Sequence, residues 1–219
     1  IFVGCGGSAM INSSHMLGAV YGMERMMGRD RTPVRQVFDY AEAHFLQQLP
    51  LMYVLTVTTQ IGSEAAIHGL FIGRERRLFE AAVKLSQQKN LTFVDKPLPK
   101  VVVYLDEREF KSTWLGNKAI YRTRMAIADG GELIVLAPGV GTFGEDPEIN
   151  RLIRRYGYRN TPFIMHSVRT CEDLRGNLSA AAHLIHGSSE ERFSITYCPG
   201  KLTREEIEGV GYRYADLPA

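Results

Sequence analysis

The sequence predicts an α/β protein: two α/β domains with parallel or mixed sheets, the N-terminal one incomplete in this chain. Three observations predict it. β-branched apolar runs alternate with segments of helical periodicity. Lys96-Pro97-Leu98-Pro99-Lys100 interrupts both patterns midway, which puts the domain boundary near residue 97. The 219 residues, 45% apolar and 23% charged, can fill a core and fall outside the disordered, collagenous and disulfide-rich classes.

The elements follow in order. Ile1-Phe2-Val3 is an apolar start that runs into a glycine turn, so we expect it to belong to a buried element with residues preceding it. Thr32 caps a helix that has Pro33 at its first position. Val34, Val37, Phe38, Ala41, Phe45 and Leu46 keep its apolar spacing to about Gln48. Leu51 to Thr59 reads as a buried strand and Ala65 to Ile72 as a second. Glu75 to Gln88 is helical, with Leu78, Ala81, Ala82 and Leu85 on one face. Beyond the proline break, Val101 to Leu105 is a strand and Trp114 to Ala128 a helix ended by Asp129-Gly130-Gly131. Glu132 to Ala137 is a strand, Pro138 to Gly144 a glycine loop and Glu145 to Tyr156 a helix. One longer helical stretch covers about Pro162 to His186. Phe193 to Tyr197 is a strand, and Thr203-Arg204-Glu205-Glu206 opens a capped helix. Such alternation implies a sheet covered on both faces.

Charge and cysteine content narrow the function. Lys+Arg total 26 against 24 Asp+Glu, a net charge of +2, which gives no case for a nucleic-acid or membrane partner. Cys5, Cys171 and Cys198 are too widely spaced for a zinc motif or a disulfide framework and suit a reducing cytoplasm. No apolar run approaches the roughly 18 residues that a membrane span needs. No G-x-S-x-G occurs, so a serine hydrolase has little support.

Three groups of residues could carry chemistry. Gly139-Val140-Gly141-Thr142-Phe143-Gly144 fits GxGxxG between a strand and a helix, where glycines let a pyrophosphate reach a helix N-terminus. The acid that this fingerprint places about 20 residues on is missing from 160–165, and Glu145 and Asp146 put negative charge where phosphate would lie. The loop reads first as a tight turn; a substrate-facing loop and the nucleotide loop of an oxidoreductase are the alternatives. Among the histidines, His183 and His186 share a helix face but lack a third ligand at metalloprotease spacing, which favours a structural or capping role. His44 reads as a surface residue. His15 follows Asn12-Ser13-Ser14, a small polar stretch suited to a site wall, and is a candidate ligand or catalytic group beside a structural alternative. Lastly, Lys111, Trp114, Lys118, Arg122 and Arg124 form a basic cluster in which Lys118 and Arg122 lie at i, i+4. It could hold a carboxylate or phosphate, or be a solvated face.

The opening fifteen residues carry a resemblance. The nickel-dependent lactate racemase family has there a lysine, an apolar pair, Pro-Gly, a further Gly, an Ile and then Asn-His. Gly4, Gly7, Ile11 and His15 fall on that pattern, while Val3 and Ser14 replace the proline and asparagine. Further on, Leu115-Gly116-Asn117-Lys118 resembles the family's Gln-x-x-Lys signature ahead of a Gly-Gly turn, with Leu115 in place of the glutamine. The chain is most similar in kind to a sugar-acid branch, D-mannonate epimerase-like.

The resemblance implies an isomerase: a racemase or epimerase that moves a hydride reversibly between C2 of a 2-hydroxy acid and a nickel pincer nucleotide. It implies that His15 is the metal ligand and that Lys118, Arg122 and Trp114 bind substrate or cofactor. It also implies that the cofactor lysine and the acid–base histidines lie upstream of Ile1, so this polypeptide alone should be inactive. Residues 1–97 would complete the N-terminal cofactor-bearing domain, 98–195 would form the C-terminal domain, and 196–219 would be a tail returning to the first. The expected partners are a small-molecule acid and, at most, further copies of the chain. The alternatives are a non-catalytic small-molecule-binding paralogue and a nucleotide-dependent oxidoreductase that uses the Gly139–Gly144 loop.

Overall fold

The structure, a computed structural model, describes residues 6–62 and 64–217. The expected apolar element at Ile1 to Val3, together with Gly4 and Cys5, lies outside the described residues. The chain divides into two compact bodies: Arg25–Val94, and Asp95–Ala219 together with the residues up to Glu24.

The body formed by Arg25–Val94 is a hairpin with helices. Thr32 Oγ1 accepts from the Arg35 amide at 3.2 Å and caps a helix over Pro33–Ala41, which widens into a π turn at Glu42–Leu46. β1 (Tyr53–Ile61) and β2 (Glu64–Gly73) pair antiparallel, with Val54 opposite Ile72 and Thr56 opposite Leu70. The helix Arg76–Asn90 packs on both strands. Its Leu85 sits so close to the hairpin that a Cβ on Gly69 would come within 2.6 Å of it. Only one face is covered in this way, which corrects the reading of a fully buried strand. Val57 is buried, while Val54, Ile67, Leu70 and Ile72 are exposed. Two strands and one covering helix have just one inner face to hide.

The other body is a parallel sheet, ordered β3-β4-β5-β6, with β3 Leu98–Tyr104, β4 Ile127–Ala137, β5 Ser194–Pro199 and β6 Arg213–Tyr214. Its β-branched runs are the residues that parallel strands favour. β5 is buried along most of its length, but the edge strand β3 leaves Val102 56% exposed, so the sheet is not covered throughout. Helices fill the core with Ile120, Leu152, Ile153, Ile164, Leu184 and Ile207, all fully buried.

Three expectations change here. The helix anticipated from Trp114 to Ala128 is two short ones, Thr113–Gly116 and Lys118–Thr123, and β4 begins at Ile127, so Gly130-Gly131 lies inside a strand. The stretch from Pro162 to His186 is three helices, Thr161–Thr170, Glu172–Arg175 and Leu178–His186. Asn177 breaks the run by accepting from the Ala180 amide at 3.0 Å and capping the last helix, the competition with helical bonding that asparagine offers. The division of the chain also differs from the expected one. The first helix (Gly7–Tyr21) packs along Leu178–His186, within the sheet-bearing body. The final segment does not leave that body: Thr203 opens the helix Arg204–Gly209 with a full capping box, and β6 then extends the sheet by pairing Tyr197 with Tyr214. No helix among the described residues is long and apolar enough to cross a membrane.

Candidate functional site

Four helices of the sheet-bearing body carry most of the sequence candidates. The first helix carries His15. Small buried residues, Gly18 and Ala19 on it and Ala180 to Ala182 on Leu178–His186, allow the two helices to approach closely. The Ser179 hydroxyl donates to Asn12 across them. The short helices at 113–123 supply Trp114, Lys118 and Arg122.

His15 is exposed, and its Nδ1 lies 2.8 Å from the Ile11 carbonyl. A carbonyl only accepts, so Nδ1 carries a proton, and in the neutral ring Nε2 has the lone pair, the arrangement of a metal-binding imidazole oriented by backbone. His186 lies close enough to His15 for its pKa to be affected. Burial first, then His15 and Arg124, push the His186 imidazole down to about 4. Its Nε2 is buried without a hydrogen-bond partner. Among the described residues no three His, Cys, Asp or Glu side chains gather. A group bound at His15 must therefore bring donors of its own.

The basic cluster resolves into different roles. Trp114 is half-buried and lies against His183, with ring centroids 4.3 Å apart. Lys118 is half-buried and Arg122 exposed; neither makes a hydrogen bond or ion pair with another described residue, so both cations are available to a ligand. Lys111 turns back to the Glu107 carbonyl. Arg124 leaves the list of ligand-binding candidates. It is 1% exposed and donates to Glu24, which follows the first helix, at 2.5 Å and to the Ser188 carbonyl at 3.1 Å. Burial works to raise the Glu24 pKa, but Arg124 and Arg192 outweigh it and hold the carboxyl below its usual value.

Sequence reasoning missed the polar network beneath Trp114. Tyr158 Oη sits 2.7 Å from Thr113 Oγ1 and 3.1 Å from His183 Nε2. Asn117 Nδ2 donates to Tyr212 Oη at 2.9 Å, and that hydroxyl donates to the Gly187 carbonyl at 2.8 Å. The Tyr158, Tyr212 and Tyr197 rings stack in series, at 4.7 and 5.5 Å between centroids. A repeated Gly-Tyr dipeptide was the available signal. Gly157 (φ 66°) and Gly211 (φ 97°) both occupy the left-handed region and deliver the stacked pair Tyr158 and Tyr212. His183 is fully packed in this network, and burial pushes its imidazole down to about 3, so it is neutral across the physiological range. His44 is exposed, as read from sequence.

The glycine loop offers no phosphate cradle. Asn150 Oδ1 accepts from the Phe143 amide at 3.0 Å and the Thr142 hydroxyl at 2.9 Å, so the helix that follows fills the loop from below. A Cβ on Gly144 would stand 2.4 Å from the Asn150 amide, and one on Gly139 2.5 Å from the Glu107 carbonyl. These glycines allow protein backbone, rather than a ligand, to approach. Asp146 caps the next helix by accepting from the Ile149 amide at 2.8 Å, the tight-turn reading.

A comparison with protein families finds no match, and neither does one with curated proteins. Solved structures do match. A crystal structure of a Thermotoga maritima protein from a structural-genomics programme shares 22% identity and superposes with a TM-score of 0.78, over 94% of this chain and 52% of that one. The lactate racemase apoprotein of Thermoanaerobacterium thermosaccharolyticum shares 14% identity with a TM-score of 0.67, over 94% of this chain and 48% of that one. The fold is therefore that of lactate racemase-like α/β proteins, and the chain spans about half the length of the structures it matches.

Proposed function

We propose that this chain is part of a 2-hydroxy-acid racemase or epimerase of the lactate racemase kind, acting on a sugar acid such as D-mannonate, with a lactate-like acid as the alternative. The observation that carries the reading is the coincidence of two lines. The fold resembles the lactate racemase apoprotein, and His15, chosen from sequence for that resemblance, turns Nδ1 to a backbone carbonyl and keeps Nε2 for a metal. A nickel pincer nucleotide fits a donor set of one imidazole, because it arrives with its own sulfur donors; when bound it supplies a hydride acceptor for C2. His15 would hold the metal. Lys118 would hold the acid's carboxylate by a charge-assisted hydrogen bond. Arg122 adds a second cation near it. Trp114 supplies an apolar wall for the carbon skeleton. The acid–base histidines that take the hydroxyl proton belong, in this reading, to the remainder of a longer cytoplasmic protein.

The test is expression of the longest protein containing this chain, together with the nucleotide-building enzymes and nickel. Nickel is measured by mass spectrometry and C2 inversion of D-mannonate, D-gluconate and lactate by NMR. About one nickel per chain, lost in His15→Ala, with inversion of one acid is the expected result. Absence of nickel from the wild type would favour the non-catalytic paralogue, which Val3, Ser14 and Leu115 would then mark. Against the nucleotide-dependent oxidoreductase stands Asn150, whose side chain accepts from the Phe143 amide in the loop such an enzyme would use.

A further inference from the structure

His183 has a hydrogen-bonding direction that its surroundings fix. The Thr113 hydroxyl donates its one proton to the Phe143 carbonyl at 3.0 Å. It must therefore accept from Tyr158, 2.7 Å away, and that uses the one proton of the tyrosine. At 3.1 Å from His183 Nε2, the Tyr158 oxygen has only a lone pair left to offer. The imidazole must donate: His183 is the Nε2–H tautomer, and the relay runs one way, from His183 through Tyr158 and Thr113 to the Phe143 carbonyl. Burial keeps the ring from taking a second proton. Nδ1 is then an obligate acceptor, and the one side-chain hydrogen bond of His183 among the described residues runs through Nε2. The same ring packs on Trp114 at 4.3 Å and meets Tyr158 edge-on at 5.5 Å between centroids.

We propose that His183 is a specificity-determining residue of the site beside Trp114 and Lys118, where its Nδ1 accepts a hydrogen bond from a hydroxyl of a polyhydroxylated acid. The inference rests on the functional reading above and deepens it, because it selects sugar acids over lactate. Lactate has one hydroxyl, the reacting one; a sugar acid has further hydroxyls along its chain to donate to a fixed acceptor. A site built to take such a bond discriminates against the analogue that cannot make it, by leaving a polar atom unpaired.

The chain contains one tryptophan, so its emission reports this site alone. The experiment titrates D-gluconate and D-lactate against the wild type and His183→Gln by tryptophan fluorescence. Glutamine can keep an amide donor toward Tyr158 while moving its acceptor, a carbonyl oxygen, off the position that Nδ1 holds. Long-range 1H–15N NMR reads the tautomer of His183 in the wild type. The expected result is an Nε2–H tautomer, tighter binding of gluconate than lactate, and in His183→Gln about a tenfold loss for gluconate with lactate unchanged. An unchanged thermal midpoint and unchanged apo emission would exclude a folding defect, and if glutamine alters them, Tyr158→Phe, which frees the ring but keeps it, must weaken gluconate alone. Equal losses for both acids, or an Nδ1–H tautomer, would overturn the proposal while leaving the functional reading standing. Failure of the wild type to bind either acid would overturn both.

Discussion

The two bodies are built from similar apolar fractions of sequence and bury them to very different degrees. In the sheet-bearing body Leu133, Val135, Leu152, Ile153 and Leu184 are completely buried, and a charged Arg124 is buried with them. In Arg25–Val94 the most buried large side chain is Val57, while Leu70 and Ile67 on the outer face are 58% and 68% exposed. A four-stranded sheet with helices has an interior; a two-stranded hairpin under one helix has an inner face only. Chemistry that requires a fixed tautomer or a desolvated imidazole can be held in the first and not in the second. All the functional candidates for which the structure gives a buried setting lie there.

The largest test of this contrast is a core truncation. Leu184→Ala should cost about 3 kcal/mol in urea unfolding, whereas Leu70→Ala on the hairpin's outer face should cost under about 0.5 kcal/mol. Equal losses would mean that the outer face is covered in solution. Ion pairs should follow the same order. Glu24→Gln strands the buried Arg124 guanidinium and should cost about 2 kcal/mol, below the full penalty of a buried pair because two carbonyls remain. Asp39→Asn removes the partner of Arg76, both largely in solvent, and should cost less than about 1 kcal/mol. Comparison of the two chemical-denaturation midpoints decides it.

A third test uses pH. His183 and His186 have folded pKa values of about 3 and about 4, below the ordinary 6.5. Between pH 6.5 and 4 the unfolded chain binds protons that the folded body refuses. Their stability contribution is therefore fully present above pH 6.5 and is lost as the pH falls, by up to about 1.4 kcal/mol per unit for each imidazole. From pH 6.5 to 5, before carboxylates titrate, His186→Gln should remove about half of that slope; an unaltered slope would place the protons elsewhere. The smallest expected effect has the opposite sign. Tyr197 Oη is buried with no partner, so Tyr197→Phe should leave stability unchanged or raise it by up to about 1 kcal/mol, read as a small rise in Tm. A loss of stability would reveal an internal water on that hydroxyl.

Particular residues explain what was legible. Thr32-Pro33, Asp146-Pro147 and Thr203 with Glu206 announce helix starts because a cap is a local bargain between one side chain and the next turn's amides, and each of these caps is formed. Three strands of the parallel sheet, β3, β4 and β5, were legible as apolar, β-branched runs, and the two-residue β6 was not. The break at Asn117 was not, since its side chain acts on Tyr212, far away in sequence; Asn177 is a local cap on the Ala180 amide, hidden in a run whose apolar spacing continues across it. Of the site, His15 and Lys118 were legible only through motif resemblance, and Trp114 and Arg122 as members of a basic run. Arg124 looked the same in that run; only the fold gave it Glu24, a hundred residues away in sequence.

The sequence by itself determined the class of fold and the helix caps, because these depend on spacing along one or two turns of chain; His15 and Lys118 it offered as candidates, through a motif resemblance. Tertiary structure decided the rest: that Asn150 closes the glycine loop, that residues up to Glu24 belong with Asp95–Ala219, and that His183 is neutral with its proton on Nε2. Those outcomes depend on burial and on which donor meets which acceptor across long separations, and no local pattern carries that information.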